Sequence, residues 1–355
     1  MSGPQSSSLD WRDLSASLPE AVLTVLAPGA PVVVTGCAGF IGSHLTEALL
    51  ELGCEVTGVD SLTDYYDVEQ KRDNLRAALA QPNFTFRHED LNDLDAVSLL
   101  SGARACFHLA AQAGVRASWG EEFTNYLDWN VQATQHLLEA CRNPDVAGDL
   151  ARLVYSSSSS VYGDQPRYPV TEDDLPMPRS PYGVTKLAAE HLCVLYAANY
   201  GVPTSSLRYF TVYGPRQRPD MAFRIFLESA LDGRTFTVYG DGSQTRDFTF
   251  VSDAVRANLL AVAAPDTAEV FNVGGGARVS LRETLDLLVE LLGELSDCAR
   301  PEIVYQDMAL GDVRHTYADR SRVEERIGYA PRVSLRDGLR LEVEWTVNRR
   351  RHGDC

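Results

Sequence analysis

Three consecutive β-branched residues, Val32-Val33-Val34, run directly into Thr35-Gly36-Cys37-Ala38-Gly39-Phe40-Ile41-Gly42, followed by a helical stretch to Leu52 and a second apolar run from Cys54 to Val59. Strand, glycine-rich turn, helix and strand make a β-α-β unit, which brings its two strands parallel into one sheet. Further strand-like runs follow at Phe84-Thr85-Phe86, Ala105 to Leu109, Arg152 to Tyr155 and Ser205 to Arg208, each separated by a helix-like segment. Such alternation predicts an α/β fold on a Rossmann-type, doubly wound parallel sheet. The pattern divides the chain into an N-terminal extension (1–30), a sheet domain (31–208, with 245–272 returning to it) and a smaller α/β domain (209–244 and 273–345). Within the extension, the amphipathic run Leu9 to Leu26 predicts an extra helix that ends at Pro28-Gly29.

The three glycines of the turn read as a phosphate cradle. Gly36 makes the tight turn, Gly39 lets backbone approach a pyrophosphate, and Gly42 lets the helix pack on the strand. The second strand ends at Asp60, 24 residues after Gly36, where a carboxylate accepts hydrogen bonds from an adenosine ribose. An extra 2′-phosphate would be repelled there, which favours NAD over NADP. Two later strand ends supply walls for the cofactor, Asp90-Leu91 near adenine and Ala110-Ala111-Gln112 near the nicotinamide ribose.

Composition removes other classes. At 355 residues, 45% hydrophobic and with 26 glycines, the chain reads as a soluble globular protein of one large or two interlocked domains. A net charge of −17 argues against nucleic acid or an anionic membrane as partner. Cysteines 37, 54, 106, 141, 193, 298 and 355 are scattered and never spaced CxxC, so they read as reduced cytoplasmic thiols and no metal site is expected. No window approaches the roughly 20 apolar residues of a membrane helix, and the N-terminus lacks a basic segment followed by an apolar core.

Chemistry enters with Ser180-Pro-Tyr-Gly-Val-Thr-Lys186, which sets Tyr182 and Lys186 one helical turn apart on a shared face. A phenol, with a pKa near ~10, is a poor base at neutral pH, but a neighbouring ammonium and an oxidised nicotinamide favour the phenolate. Such a pair can draw a proton from a sugar hydroxyl.

The glycine turn, the strand end Ser156-Ser157-Ser158-Ser159-Ser160-Val161-Tyr162-Gly163, the Tyr182/Lys186 pair and Arg246-Asp247-Phe248 together resemble the extended short-chain dehydrogenases/reductases, and within them the nucleotide-sugar epimerases. The resemblance covers roughly residues 31–340. It implies that Tyr182 is the base, Lys186 its electrostatic partner and nicotinamide-ribose ligand, and Ser158 the hydroxyl bridging to the sugar oxygen, with Ser160 as a further sugar contact. It also implies cofactor contacts from Phe40, Ile41, Asn130, Ser156 and Tyr209. Dehydratases of the superfamily carry an Asp-Glu pair before the Val-Tyr-Gly segment, and uronate decarboxylases a Glu; here those positions are Ser159 and Ser160. Without that carboxyl the site can oxidise and reduce but lacks the group for eliminating water. Epimerisation at C4 through a transient 4-keto sugar is the reading that remains.

Three stretches resemble UDP-glucuronate 4-epimerases: Asp60 to Asp67, Ala110 to Arg116, and Arg208 to Met221. Thr211 stands where UDP-galactose 4-epimerases commonly carry Asn. Arg218 can fork a C6 carboxylate, and Thr211 adds a hydroxyl donor. Holding that carboxylate also matters because the 4-keto intermediate is a β-keto acid, prone to lose CO2. For the nucleotide end the resemblance implies Arg246 on the diphosphate, Val238 and Tyr239 on uracil, and Asp312 near the diphosphate and ribose. Related enzymes often place an arginine two or three residues before that Gly-Asp, where this chain has Met308-Ala309-Leu310. Long amphipathic helices are expected at Phe123–Cys141 and Pro181–Tyr200, whose equivalents pair in homodimers of this superfamily. Two alternatives stay open: a 4-epimerase of neutral UDP-hexoses, and a regulator that binds NAD without chemistry.

Overall fold

The computed structural model describes residues 9–296, 298, 300–307 and 311–351. Its central sheet has seven parallel strands: β1 (Pro31–Thr35), β2 (Glu55–Val59), β3 (Phe84–Arg87), β4 (Ala105–His108), β5 (Arg152–Ser158), β6 (Thr204–Tyr209) and β7 (Glu269–Val273), in spatial order 7-6-5-4-1-2-3. Helices cover both faces, so the strands carry near-continuous apolar runs; Val32, Val33 and Val34 are all buried. Strand order reverses at β1, which pairs with β2 on one side and β4 on the other, setting Thr35 level with Val59 and His108. Crossovers leave that junction in opposite directions, and a crevice opens at the carboxyl ends of the strands.

Helix α1 (Phe40–Glu51) begins directly at Gly39. Helix α2 (Pro181–Tyr200) is delimited by its sequence: the Ser180 hydroxyl accepts from the Gly183 N–H, Pro181 takes the first turn, and Gly201 closes the helix in the left-handed region at φ 70°. The expected helix over Phe123–Cys141 is present but interrupted: α-helical turns at Phe123–Tyr126 and Ala133–Cys141 flank a π-helical segment, Leu127–Gln132. Such bulges recur at functional sites because the extra residue re-aims nearby side chains.

The extension does not form the single helix expected over Leu9 to Leu26. A 3-10 turn at Ser15–Ser17 and a six-residue helix at Glu20–Val25 are separated by Leu18-Pro19. Proline excludes the helical conformation from the residue before it, and Leu18 is extended at φ −102°, ψ 144°. Leu18, Val22 and Leu26 are nevertheless buried in the core, and the Arg256 guanidinium of α3 (Val251–Ala261) donates to the Ser17 hydroxyl and carbonyl, both at 2.8 Å.

Outside the sheet, Val212–Tyr213 pairs with Thr249–Phe250 and Phe236–Tyr239 with Ile303–Gln306, both parallel, while Thr245–Asp247 pairs antiparallel with Arg278–Ser280. The chain crosses back to the central sheet after Phe250, through α3 and β7. Of the described cysteines, Cys37, Cys54, Cys106, Cys141 and Cys193 are buried free thiols.

Candidate active site

The glycine turn has no room for side chains at Gly36 and Gly42. Gly36 adopts φ +72°, and a Cβ there would sit 2.7 Å from the Ala110 nitrogen; one on Gly42 would sit 2.0 Å from the Gly36 carbonyl oxygen. The first backbone N–H groups of α1 therefore face an open cradle, the arrangement that receives a phosphate. Beside it, the Asp60 carboxylate accepts from Ala38 N–H at 3.0 Å and Leu62 N–H at 2.9 Å. Burial pushes this carboxyl up, and those two donors pull it back. Each oxygen keeps a lone pair for a ribose hydroxyl.

One cavity at the strand-order reversal gathers Gly36, Gly39, Phe40, Ile41, Gly42, Asp60, Asp90, Leu91, Ala110, Ala111, Gln112, Ser156, Tyr182, Lys186, Tyr209 and Arg218. Asn130, expected beside the cofactor, is buried, accepting from Gln112 N–H (2.7 Å) and donating to the Gln112 carbonyl (3.1 Å) and the Thr185 hydroxyl (3.0 Å). With both amide protons committed, it acts as a brace between the Gln112 loop and α2. Other wall residues carry no sequence signal. Lys71, buried, donates to the Thr63 carbonyl (2.6 Å) and hydroxyl (3.1 Å), and its ammonium lies 4.7 Å from the Tyr66 ring centroid. Trp129, on the π-helical segment, donates from Nε1 to Asp90 at 2.9 Å.

At the far end, Lys186 is buried with Nζ 4.9 Å from the Tyr155 ring centroid. Burial lowers its pKa to about 7, opposed by the nearby Cys193 and Glu190. Burial raises the Tyr182 phenol, and the Arg218 cation and the neighbouring Ser158 hydroxyl draw it back. Arg218 thus lowers the phenol from within the cavity, and the Lys186 ammonium lies over the Tyr155 ring. Arg218 is itself forked onto Asp220 (2.9 and 3.1 Å), which also accepts from Tyr65 at 3.3 Å.

The serines at the end of β5 divide by partner. Ser156 shares a hydrogen bond with the Tyr209 hydroxyl (3.2 Å), Ser157 donates to Glu190 (2.7 Å), and Ser158 accepts from Ser160 N–H (3.1 Å) beside Tyr182. Beneath them Arg208 forks Glu190 at 3.0 and 2.6 Å and donates to the Tyr162 hydroxyl at 2.6 Å, which donates to Asn272 at 2.7 Å. This buried pair ties α2 to β5, β6 and β7. Ser158, Ser160 and Thr211 flank the cavity without lining it.

On the strand Phe236–Tyr239, Val238, expected near uracil, is 1% exposed and packed in the core, because alternation turns it inward. Tyr239 faces out. The Arg246 guanidinium donates to the carbonyls of Thr245 (2.9 Å), Arg314 (3.2 Å) and Val313 (2.8 Å). Asp312 pairs with Arg116 at 2.8 Å. Met308-Ala309-Leu310 lies outside the described residues.

The family described as NAD dependent epimerase/dehydratase matches residues 32–274. The chain belongs to this family. It is 36% identical over 320 residues to UDP-glucuronate 4-epimerase of Thermodesulfobacterium geofontis, spanning 88% of this chain and 95% of that protein. It is 41% identical over 316 residues to YtcB of Bacillus subtilis, named an uncharacterized UDP-glucose epimerase, across 88% and 97%. A crystal structure of UDP-glucuronic acid 4-epimerase from Bacillus cereus, in complex with UDP-glucuronic acid and NAD, superimposes with a TM-score of 0.84 at 40% identity, covering 90% of this chain and 99% of that one. As a member of this family the protein is an enzyme with NAD as cofactor, and the side-chain-free cradle over α1 with Asp60 beside it fits that dinucleotide.

Proposed function

We propose that this enzyme interconverts UDP-glucuronate and UDP-galacturonate by inverting C4. The observation that carries the reading is a cation, Arg218, in the same cavity as Tyr182 and Lys186, where the C6 group of a sugar would lie. Gly36, Gly39, Gly42 and Asp60 would hold NAD, which when bound supplies the ring that takes hydride from the sugar carbon and returns it. Tyr182 accepts the proton of the 4-hydroxyl at its phenolic oxygen and gives it back after the sugar has turned over. Ser158 hydrogen-bonds the same sugar oxygen, and Lys186 keeps positive charge behind the phenol. Arg218 grips the carboxylate, holding the C5–carboxylate bond out of line with the C4 carbonyl π system and so suppressing loss of CO2. No carboxylic acid stands at Ser159 or Ser160 to expel water.

A neutral UDP-hexose is the second reading, favoured by one observation: Arg218 already has a carboxylate partner in Asp220, which a uronate must displace or share. Incubation with each nucleotide sugar separates the two. UDP-glucuronate is expected to give UDP-galacturonate without UDP-pentose, with kcat/KM above that for UDP-glucose by roughly ten- to a hundredfold, the value of a charge-assisted pair. Equal turnover of UDP-glucose would establish the second reading. Deuterium placed at C4 must stay on the sugar, and Tyr182→Phe is expected to lose roughly 10²–10⁴ in kcat; wash-out of the label into solvent, or an active Tyr182→Phe protein, would refute both. We further infer a cytoplasmic homodimer, supported by the five buried free thiols at Cys37, Cys54, Cys106, Cys141 and Cys193 and by apolar side chains exposed on α2.

A further inference from the structure

Arg116 lies outside the cavity just described, on the loop that leaves β4. The loop backbone is pinned: Gly114 runs at φ +104° under the Tyr65 hydroxyl, Tyr126 donates to the carbonyls of Ala113 (2.9 Å) and Gly114 (2.8 Å), and Ser118 donates to that of Val115 (2.7 Å). From this fixed base the half-exposed Arg116 side chain reaches the smaller lobe. Its guanidinium lies 4.2 Å from the Tyr239 ring centroid, and Nη2 is 2.8 Å from the Asp312 carboxylate. Gly311 packs against Val115 and Ser180, so the Gly311-Asp312 turn sits over both this loop and the start of α2.

Arg246 stands beside them, its hydrogen bonds spent on three carbonyls and none on a carboxylate. Asp312 attracts it and Arg116 repels it. Two arginines therefore share one acid at the lip between the lobes. The three residues preceding Gly311 in sequence, Met308-Ala309-Leu310, bring no cation.

We propose that Arg116 is a diphosphate ligand of the nucleotide sugar, exchanging Asp312 for phosphate oxygens when substrate enters. The proposal rests on the UDP-sugar reading above. A half-exposed ion pair is weak, so a doubly charged diphosphate displaces it. A guanidinium stacked on an aromatic ring has already lost much of its rotational freedom, and its planar fork matches a phosphate edge. Arg246, beside it, supplies the second cation.

The rival is a fixed clamp, in which the Arg116–Asp312 pair only holds the lobes together. Titration of NAD-loaded wild-type, Arg116→Ala and Arg116→Lys proteins with UDP and with uridine distinguishes them. Loss of a charge-assisted fork is expected to weaken UDP binding by about tenfold or more in Arg116→Ala, with uridine unchanged within about twofold. Arg116→Lys, which keeps the charge but not the fork, is expected to recover part of the loss, and KM should rise more than kcat falls. Circular dichroism and bound-NAD content verify that each variant is folded. UDP affinity within twofold of wild type in Arg116→Ala would overturn the proposal, and so would a parallel loss of UDP and uridine affinity, the mark of a clamp. A wild-type protein that does not bind UDP would overturn the parent reading instead.

Discussion

His108, buried at the end of β4, lies between two hydroxyls: Thr35 at 2.8 Å from Nδ1 and Thr134 at 2.9 Å from Nε2. Thr134 donates to the Asn130 carbonyl, so it accepts from Nε2–H; Thr35 accepts from Ala110 N–H, so its own proton points to Nδ1. The neutral Nε2–H ring satisfies both contacts, and burial pulls its pKa down to about 3, helped by the Lys186 cation. His44, which donates to the Pro215 carbonyl, is lowered in the same direction by burial and by Arg216. As pH falls through 6.5 the unfolded chain takes up these protons while the folded chain refuses them. Stability is therefore lost below pH 6.5, for His108 until about pH 3, by up to about 1.4 kcal/mol per pH unit for each ring. Urea unfolding at pH 7, 6 and 5 measures the slope, and His108→Gln is expected to flatten it; an unaltered slope in that variant would refute the assignment. At this scale the sequence was most readable where a motif carried the residue, as with Tyr182 and Asp60. It was mute where partners are distant: Asp220 meets Tyr65 across 155 positions, and Asp312 meets Arg116 across 196.

Among elements, the turn from β1 into α1 makes the sharpest demand. A Cβ on Gly42 would overlap the Gly36 carbonyl, whereas one on Gly39 would lie 3.2 Å from the same oxygen, a contact a small shift can relieve. Gly42→Ala is therefore expected to lose bound NAD and about 1–3 kcal/mol of stability, the range for overpacking, with Gly39→Ala milder. Thermal unfolding together with dinucleotide content after purification reports both, and a Gly42→Ala protein that keeps its NAD would contradict the geometry. The parallel strands were legible because burial on two faces writes unbroken apolar runs. The π-helical segment was not, since its side chains continue the helical pattern on either side of it. Pro19 was in plain view; the amphipathic run around it outweighed it, although proline is the stronger local constraint.

For the molecule as a whole, the charge of −17 leaves attraction of an anionic substrate to local arginines. Apolar side chains are exposed elsewhere: Val184, Leu195 and Tyr200 on α2 and Leu127 on the neighbouring helix are 48, 53, 55 and 42% exposed. Apolar side chains exposed along α2 and its neighbour are where a second copy of the chain is expected to pack. Leu195→Glu is expected to shift a dimeric protein to monomers in sedimentation velocity with NAD content unchanged; a wild-type monomer, or a variant that still dimerises, would reject the pairing. The point at which the chain rejoins the central sheet, after Phe250, depends on ladders between residues too far apart in sequence for periodicity to register.

Cys37 sits inside the phosphate-facing turn, wholly covered, its thiol pushed well up by burial and by Asp60. A thiol so placed is chemically silent until the turn gapes. Its alkylation would then keep time for the opening of the dinucleotide cradle, and a bound coenzyme should slow that clock.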